Sequence, residues 1–112
     1  QDNTFGDLLE ANNVSAWLSG HAGRGSTYIR PIPGHETKLL ILDTFEEHDI
    51  YRVAAFDNDL FSFMDCHQDI WPCVLITNPK NAMLIASTDP LGRLRESTHV
   101  RVLVFTDSAN PI

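Results

Sequence analysis

Ser19-Gly20-His21-Ala22-Gly23-Arg24 is the one stretch of this sequence whose residue types and spacing invite chemistry. An imidazole directly after a glycine, at the end of an apolar run, can be delivered to the rim of a sheet, because Gly20 lets the backbone turn close to a metal ion or phosphate. His21 is then either a structural or surface histidine, or a neutral imidazole ligand to a divalent metal. The second role needs a partner on the other ring nitrogen and further ligands from elsewhere. Arg24 has a planar fork that suits phosphate oxygens, and its other reading is a solvated side chain.

The remaining chemical candidates are thinner. Asp57 and Asp59 could be read as a carboxylate pair for acid-base work, but they flank Asn58 in what reads as a tight turn and have no companion motif. Cys66 and Cys73 fit neither a C-x-x-C nor a zinc-ribbon spacing. Two free thiols is the default expectation, and an oxidising compartment would permit a disulfide between them. Asn13-Val14-Ser15 is a formal N-glycosylation acceptor, expected to be unused because a buried strand should follow it at once. His35 lies in a Pro-Gly loop too far along to serve with His21, and His48, His67 and His99 fall in turns or strand starts as structural or exposed residues.

The elements that must position these residues are legible in outline. Thr4-Phe5-Gly6-Asp7 resembles a capping box with Asp for Glu, and Phe5, Leu8 and Leu9 repeat at helical spacing, which predicts a short helix to about Asn12. Residues 14–19 read as a buried strand and 20–25 as a Gly-rich loop, followed by a Pro-Gly connection at Pro31, Pro33 and Gly34. Residues 38–45, 50–56 and 60–64 read as three strands of one antiparallel sheet, with Asp57-Asn58-Asp59 turning between the last two. Phe61 and Phe63 share one side of the pleat and are expected to face a core. Residues 71–77 and 99–106 read as further strands, and 82–86 as a weaker one. The polar run Cys66-His67-Gln68-Asp69 is the best domain junction, with the boundary placed near Gln68.

The run Leu8-Leu9-Glu10-Ala11-Asn12-Asn13-Val14-Ser15-Ala16-Trp17-Leu18-Ser19-Gly20-His21 resembles the last motif of calcineurin-like metallophosphoesterases, in which a helix and a strand lead into Gly-His-x-His. The segments 51–63, 71–80 and 97–105 resemble a membrane-anchored member of that family, so the likeness covers nearly all of the chain. It implies a mixed α/β, mostly β fold. Residues 1–68 would be the C-terminal part of the layered phosphoesterase β-sandwich, and residues 69–112 the first strands of an immunoglobulin-like domain. It also implies a parent that hydrolyses a phosphate ester at a dinuclear centre of Mn, Fe or Zn, with His21 as metal ligand; Arg24, by its planar fork, is the candidate for contact with substrate. The family's Asp-x-His, Gly-Asp-x-x-Asp and Gly-Asn-His motifs are absent from this chain, and Gly23 stands where the second His belongs. The chain alone is therefore expected to hold no metal tightly and to have no catalytic residue. The alternative is a degenerate pseudoenzyme that acts as a protein-interaction module.

Composition narrows the partners. A hydrophobic share of 43% over 112 residues is enough to form a core. A formal net charge of -7 with dispersed arginines argues against nucleic acid. The acidic residues Asp43, Glu46, Glu47 and Asp49 read as a solvated face. No stretch reaches the about 18 to 20 apolar residues a spanning helix needs, so the segment is expected to be a soluble portion outside the bilayer, attached through helices of the parent. The chain starts at Gln1 before a helix signal and ends at Pro111-Ile112 after a strand, which reads as a piece of a longer protein. The expected partners are the upstream and downstream parts of that chain, and a phosphate ester or protein.

Overall fold

The computed structural model describes residues 4–20 and 28–109. It is mixed α/β and mostly β, with 39% of residues in strands and 19% in helices. The described residues divide into two compact units: residues up to His48 together with Ala86–Thr88, and Asp49–Ile85 together with the residues from Asp89 on.

The first unit opens with helix α1, Phe5–Ala11, fixed at its start as the sequence predicts. Thr4 Oγ1 accepts from the Asp7 backbone N–H at 3.2 Å, and the Asp7 carboxylate accepts from the Thr4 backbone N–H at 2.7 Å, so two donors left over at the helix start are satisfied reciprocally. Strand β1, Ala16–Ser19, follows a turn in which Asn13 takes a positive φ of 52°. Strands β2, Tyr28–Pro31, and β3, Lys38–Ile41, complete a three-stranded sheet in the order β1-β3-β2. The central strand β3 runs parallel to β1 and antiparallel to β2. Leu40 in its middle is fully buried, and Thr37 at its start donates its hydroxyl to Val14 O at 2.7 Å. A short helix α2, Phe45–His48, ends the main segment of the unit.

The expectation of a single antiparallel sheet over 38–45, 50–56 and 60–64 is therefore corrected. Strand β3 stops at Ile41 because Asp43 turns the chain, its Oδ1 accepting from the Thr44 N–H at 2.8 Å, and residues 45–48 coil into α2. The expected burial of the strand over 14–19 is corrected as well, since Trp17 and Leu18 on β1 are exposed. Asn13 is exposed too, so its acceptor sequence sits on the surface.

The second unit is built on a long hairpin, β4 (Ile50–Asp57) and β5 (Leu60–His67). Its two-residue turn is Asn58-Asp59, with φ of 49° and 67°, the doubly left-handed geometry that matches the twist of the flanking strands and that Asn and Asp tolerate. Strand β5 packs against β6 (Cys73–Asn78), which pairs antiparallel with β7 (Arg101–Phe105). Between β6 and β7 come a 3₁₀ turn at Ala82–Leu84, in place of the weak strand expected there, and helix α3, Gly92–Glu96. The Trp71-Pro72 and Asn78-Pro79 bonds that flank β6 are cis.

On β5 the pleat puts Leu60, Ser62 and Cys66 on the buried side. Phe61 and Phe63 share the other side, as period-two alternation requires, but that side is not the core. There Phe61 stacks between Phe56 and Phe63 at centroid distances of 5.3 and 6.2 Å, and Phe56 is 78% exposed. The Arg52 guanidinium lies 4.0 Å over the Phe63 ring while two of its nitrogens bind Asp65 at 2.6 and 2.8 Å, so the face is an aromatic and cationic ladder. A buried ion pair, Lys80 Nζ to Asp89 Oδ2 at 2.7 Å, ties down the connection that follows β6.

The residues around Gln68 lie within this second unit. Gln68 N–H donates to Asp49 O at 2.9 Å, and Cys66 and Cys73 form a disulfide with Cα atoms 5.9 Å apart, which replaces the expectation of two free thiols. Closing so short a loop removes chain entropy worth roughly 2–3 kcal/mol from the unfolded state. Thermal unfolding with and without a phosphine reductant measures it: the melting temperature should fall on reduction and Cys66→Ser should reproduce the fall, whereas identical curves would mean that the thiols are free.

Candidate functional site

The parallel pairing of β1 with β3 decides which residues share a rim. Ser19 sits opposite Ile41 in the register, and the Leu42 N–H donates to Ser19 O at 2.8 Å, so both strands run out at one edge of the sheet. Ligand-bearing loops gather at such an edge, outside the carboxyl ends of parallel strands. Gly20 lies on it exposed, with nothing within 4 Å of where a Cβ would stand. The chain then continues into His21, Gly23 and Arg24, which lie outside the described residues.

From β3 the same edge receives Asp43 and α2. The Asp43 carboxylate is fully buried, and its Oδ2 accepts no hydrogen bond. His48 Nε2 stands 3.3 Å from that oxygen, and Glu47 Oε2 is 3.8 Å from the same nitrogen. The reading of this acidic run as a solvated face thus holds for Glu46 and Glu47 but fails for Asp43. The signal that could have found it is the spacing. Asp43 lies two residues past an apolar strand, and Glu47 and His48, four and five residues on, come back beside it through the turn of α2.

His35, His67 and His99 lie apart from this cluster. His35 packs against Gly6 of α1, where an added Cβ would stand 2.5 Å from its ring, and its Nδ1 pairs with Glu10 Oε2 at 2.8 Å while Nε2 is 3.7 Å from Asp7 Oδ1. It holds the loop after β2 to the helix. His67 and His99 are exposed.

Asp57 and Asp59 are the hairpin turn and its flank. Asp57 is bound by Arg101, with Nε to Oδ2 at 2.6 Å and Nη2 to Oδ1 at 2.9 Å, and it accepts the Thr77 hydroxyl at 2.9 Å. The Arg101 guanidinium holds the Asp57 carboxyl below the usual carboxylate range, burial opposes this, and the Thr77 hydroxyl adds to it. A carboxylate held charged in this way is a strut and no general acid. Beside it lies a cleft of about 490 Å³ lined by Asn58, Asp59, Asn78, Glu96, Ser97 and Arg101 among others. Asn78, 1% exposed, donates through Nδ2 to Ser97 Oγ and His99 O, which fixes the approach to β7.

The geometry defines a mostly β chain in which one parallel strand pair opens a rim bearing a buried carboxylate and a partly exposed imidazole. The chain is similar to Transmembrane protein 62 of Mus musculus, to which it is 49% identical over 81 residues, 70% of this chain. The chain is a homologue of a segment of that protein and covers 12% of its length. No protein-family model matches the chain, and no solved structure matches it. Among the described residues no helix is long and apolar enough to cross a membrane.

The Asp57–Arg101 pair sets a pH dependence. A carboxyl whose folded pKa is depressed contributes stability that is present above its unfolded value, near 3.8, and is lost as pH falls through the lower folded value. The stability difference between the native chain and Arg101→Gln, read by urea unfolding, should be largest near neutral pH and should close as pH falls below 3.8. A difference that does not change with pH would show that the pair is not coupled to folding.

Proposed function

We propose that this chain is a segment of a metallophosphoesterase-like membrane protein, and that the parent hydrolyses a phosphate ester at a dinuclear centre of Mn, Fe or Zn. In this reading His21 is a metal ligand and Arg24 faces a phosphate oxygen. Residues 1–68 close the phosphoesterase domain, and residues 69–112 begin an immunoglobulin-like one. The bilayer is reached through parts of the parent outside this chain, and the upstream and downstream parts of the parent are its packing partners.

The observation that carries the reading is the parallel pairing of β1 with β3, which aims the chain at Ser19-Gly20 toward the sheet edge where such ligands collect. The 49% identity to Transmembrane protein 62 supports a membrane-protein parent. When bound, two metals would activate a water and clamp phosphate oxygens. This chain supplies too few of the family's ligands to do so. Gly23 has no donor side chain, and the other motifs are absent from the sequence. The chain by itself is inactive in this reading. Gly23 also favours a second reading, a degenerate pseudoenzyme acting as an interaction module, and the aromatic ladder of exposed Phe56 with half-buried Phe61 and Phe63 would serve it.

The purified chain should show no turnover of a nitrophenyl phosphodiester. In the full-length parent, His21→Ala should lower manganese affinity and turnover by about 10 to 100-fold, the cost that even outer-shell losses carry at metal sites, and Gly23→His should raise both. If neither substitution changes either quantity in well-folded protein, the loop is no metal site and the interaction module is the correct reading.

A further inference from the structure

A buried carboxylate oxygen without a donor costs free energy unless something compensates it, and Asp43 Oδ2 is such an atom. His48 Nε2 stands 3.3 Å from it but does not meet it as a hydrogen bond. The two atoms face each other as two ligands of a common ion do. Metal–nitrogen and metal–oxygen bonds of about 2.0–2.2 Å in tetrahedral geometry put ligand atoms about 3.4 Å apart. His48 Nε2 is 3.3 Å from Asp43 Oδ2 and 3.8 Å from Glu47 Oε2, and the three atoms lie within 4.8 Å of one another. We infer that Asp43, Glu47 and His48 form a divalent-cation site of their own.

The donor set selects the ion. One imidazole and two carboxylates suit zinc and its first-row neighbours, whereas calcium takes six to eight oxygens. Asp43 is the anchoring ligand, because its side chain is fully buried and its Oδ1 is occupied by the Thr44 N–H. His48 and Glu47, 37% and 62% exposed at the side chain, close over the ion and leave a coordination position for water. The site needs no residue of the 21–27 loop. It stands or falls separately from the assignment of His21.

Calorimetric titration of the 112-residue chain with zinc, repeated with cobalt to read the visible band of a tetrahedral site, tests this directly. One zinc per chain should bind, His48→Ala and Glu47→Gln should each weaken it by at least about tenfold, and His67→Ala should leave it unchanged. Glu47 is surface-exposed, so Glu47→Gln decides the matter even if His48→Ala unfolds. Absence of zinc binding would reduce the cluster to an ion pair and overturn the site. Binding abolished by His21→Ala but untouched by Glu47→Gln would also overturn it, and would place the metal in the loop that the proposed function invokes.

Discussion

The position of β3 between β1 and β2 is the constraint on which the rest of the first unit depends. Leu40 is fully buried there, and a central strand that pairs on both sides satisfies its backbone groups only if both neighbours hold register. The direction of β1 follows from that register. Because β1 is parallel to β3, the chain leaving Ser19 and the chain leaving Ile41 emerge at one edge, and the placement of Gly20, Asp43, Glu47 and His48 follows from that coincidence.

The second unit is held in a different currency. Its hairpin, its β6-β7 pair and its connections are joined by charges that have specific partners: Asp57 with Arg101 and Thr77, Lys80 with Asp89, and Arg52 with both Asp65 and the Phe63 ring. Bidentate and buried pairs of this kind have fixed geometry, so they set strand positions as well as adding stability. Three acidic side chains, Asp57, Asp65 and Asp89, are held by three basic ones, Arg101, Arg52 and Lys80.

Local signals in the sequence were sound guides and long-range ones were not. The capping box at Thr4 and Asp7, the Asn58-Asp59 turn and the strand after Pro72 are each specified by neighbours within a few residues, and each appears where it was expected. The partner of residues 38–41 is not specified locally. An apolar run reads alike whether it pairs with a hairpin neighbour or with a strand more than a dozen residues upstream, and the structure chooses β1 and β2. Phe61 and Phe63 illustrate the same limit, since alternation says which residues share a face but not which face is buried. Of the candidate site, Gly20 was legible from its residue type. Asp43, Glu47 and His48 were hidden because their meeting needs both the end of β3 and the turn of α2.

The proposed cation site, Asp43, Glu47 and His48, lies at the carboxyl-end rim of β1 and β3. Paramagnetic manganese added to nitrogen-labelled chain reports this residue by residue, because amide signals vanish near the bound ion. The expected result is selective loss of the Leu42, Asp43 and α2 amides, with the signals of β6 and β7 intact. Uniform broadening, or loss centred on Asp57, Asn58 and Asp59, would contradict it.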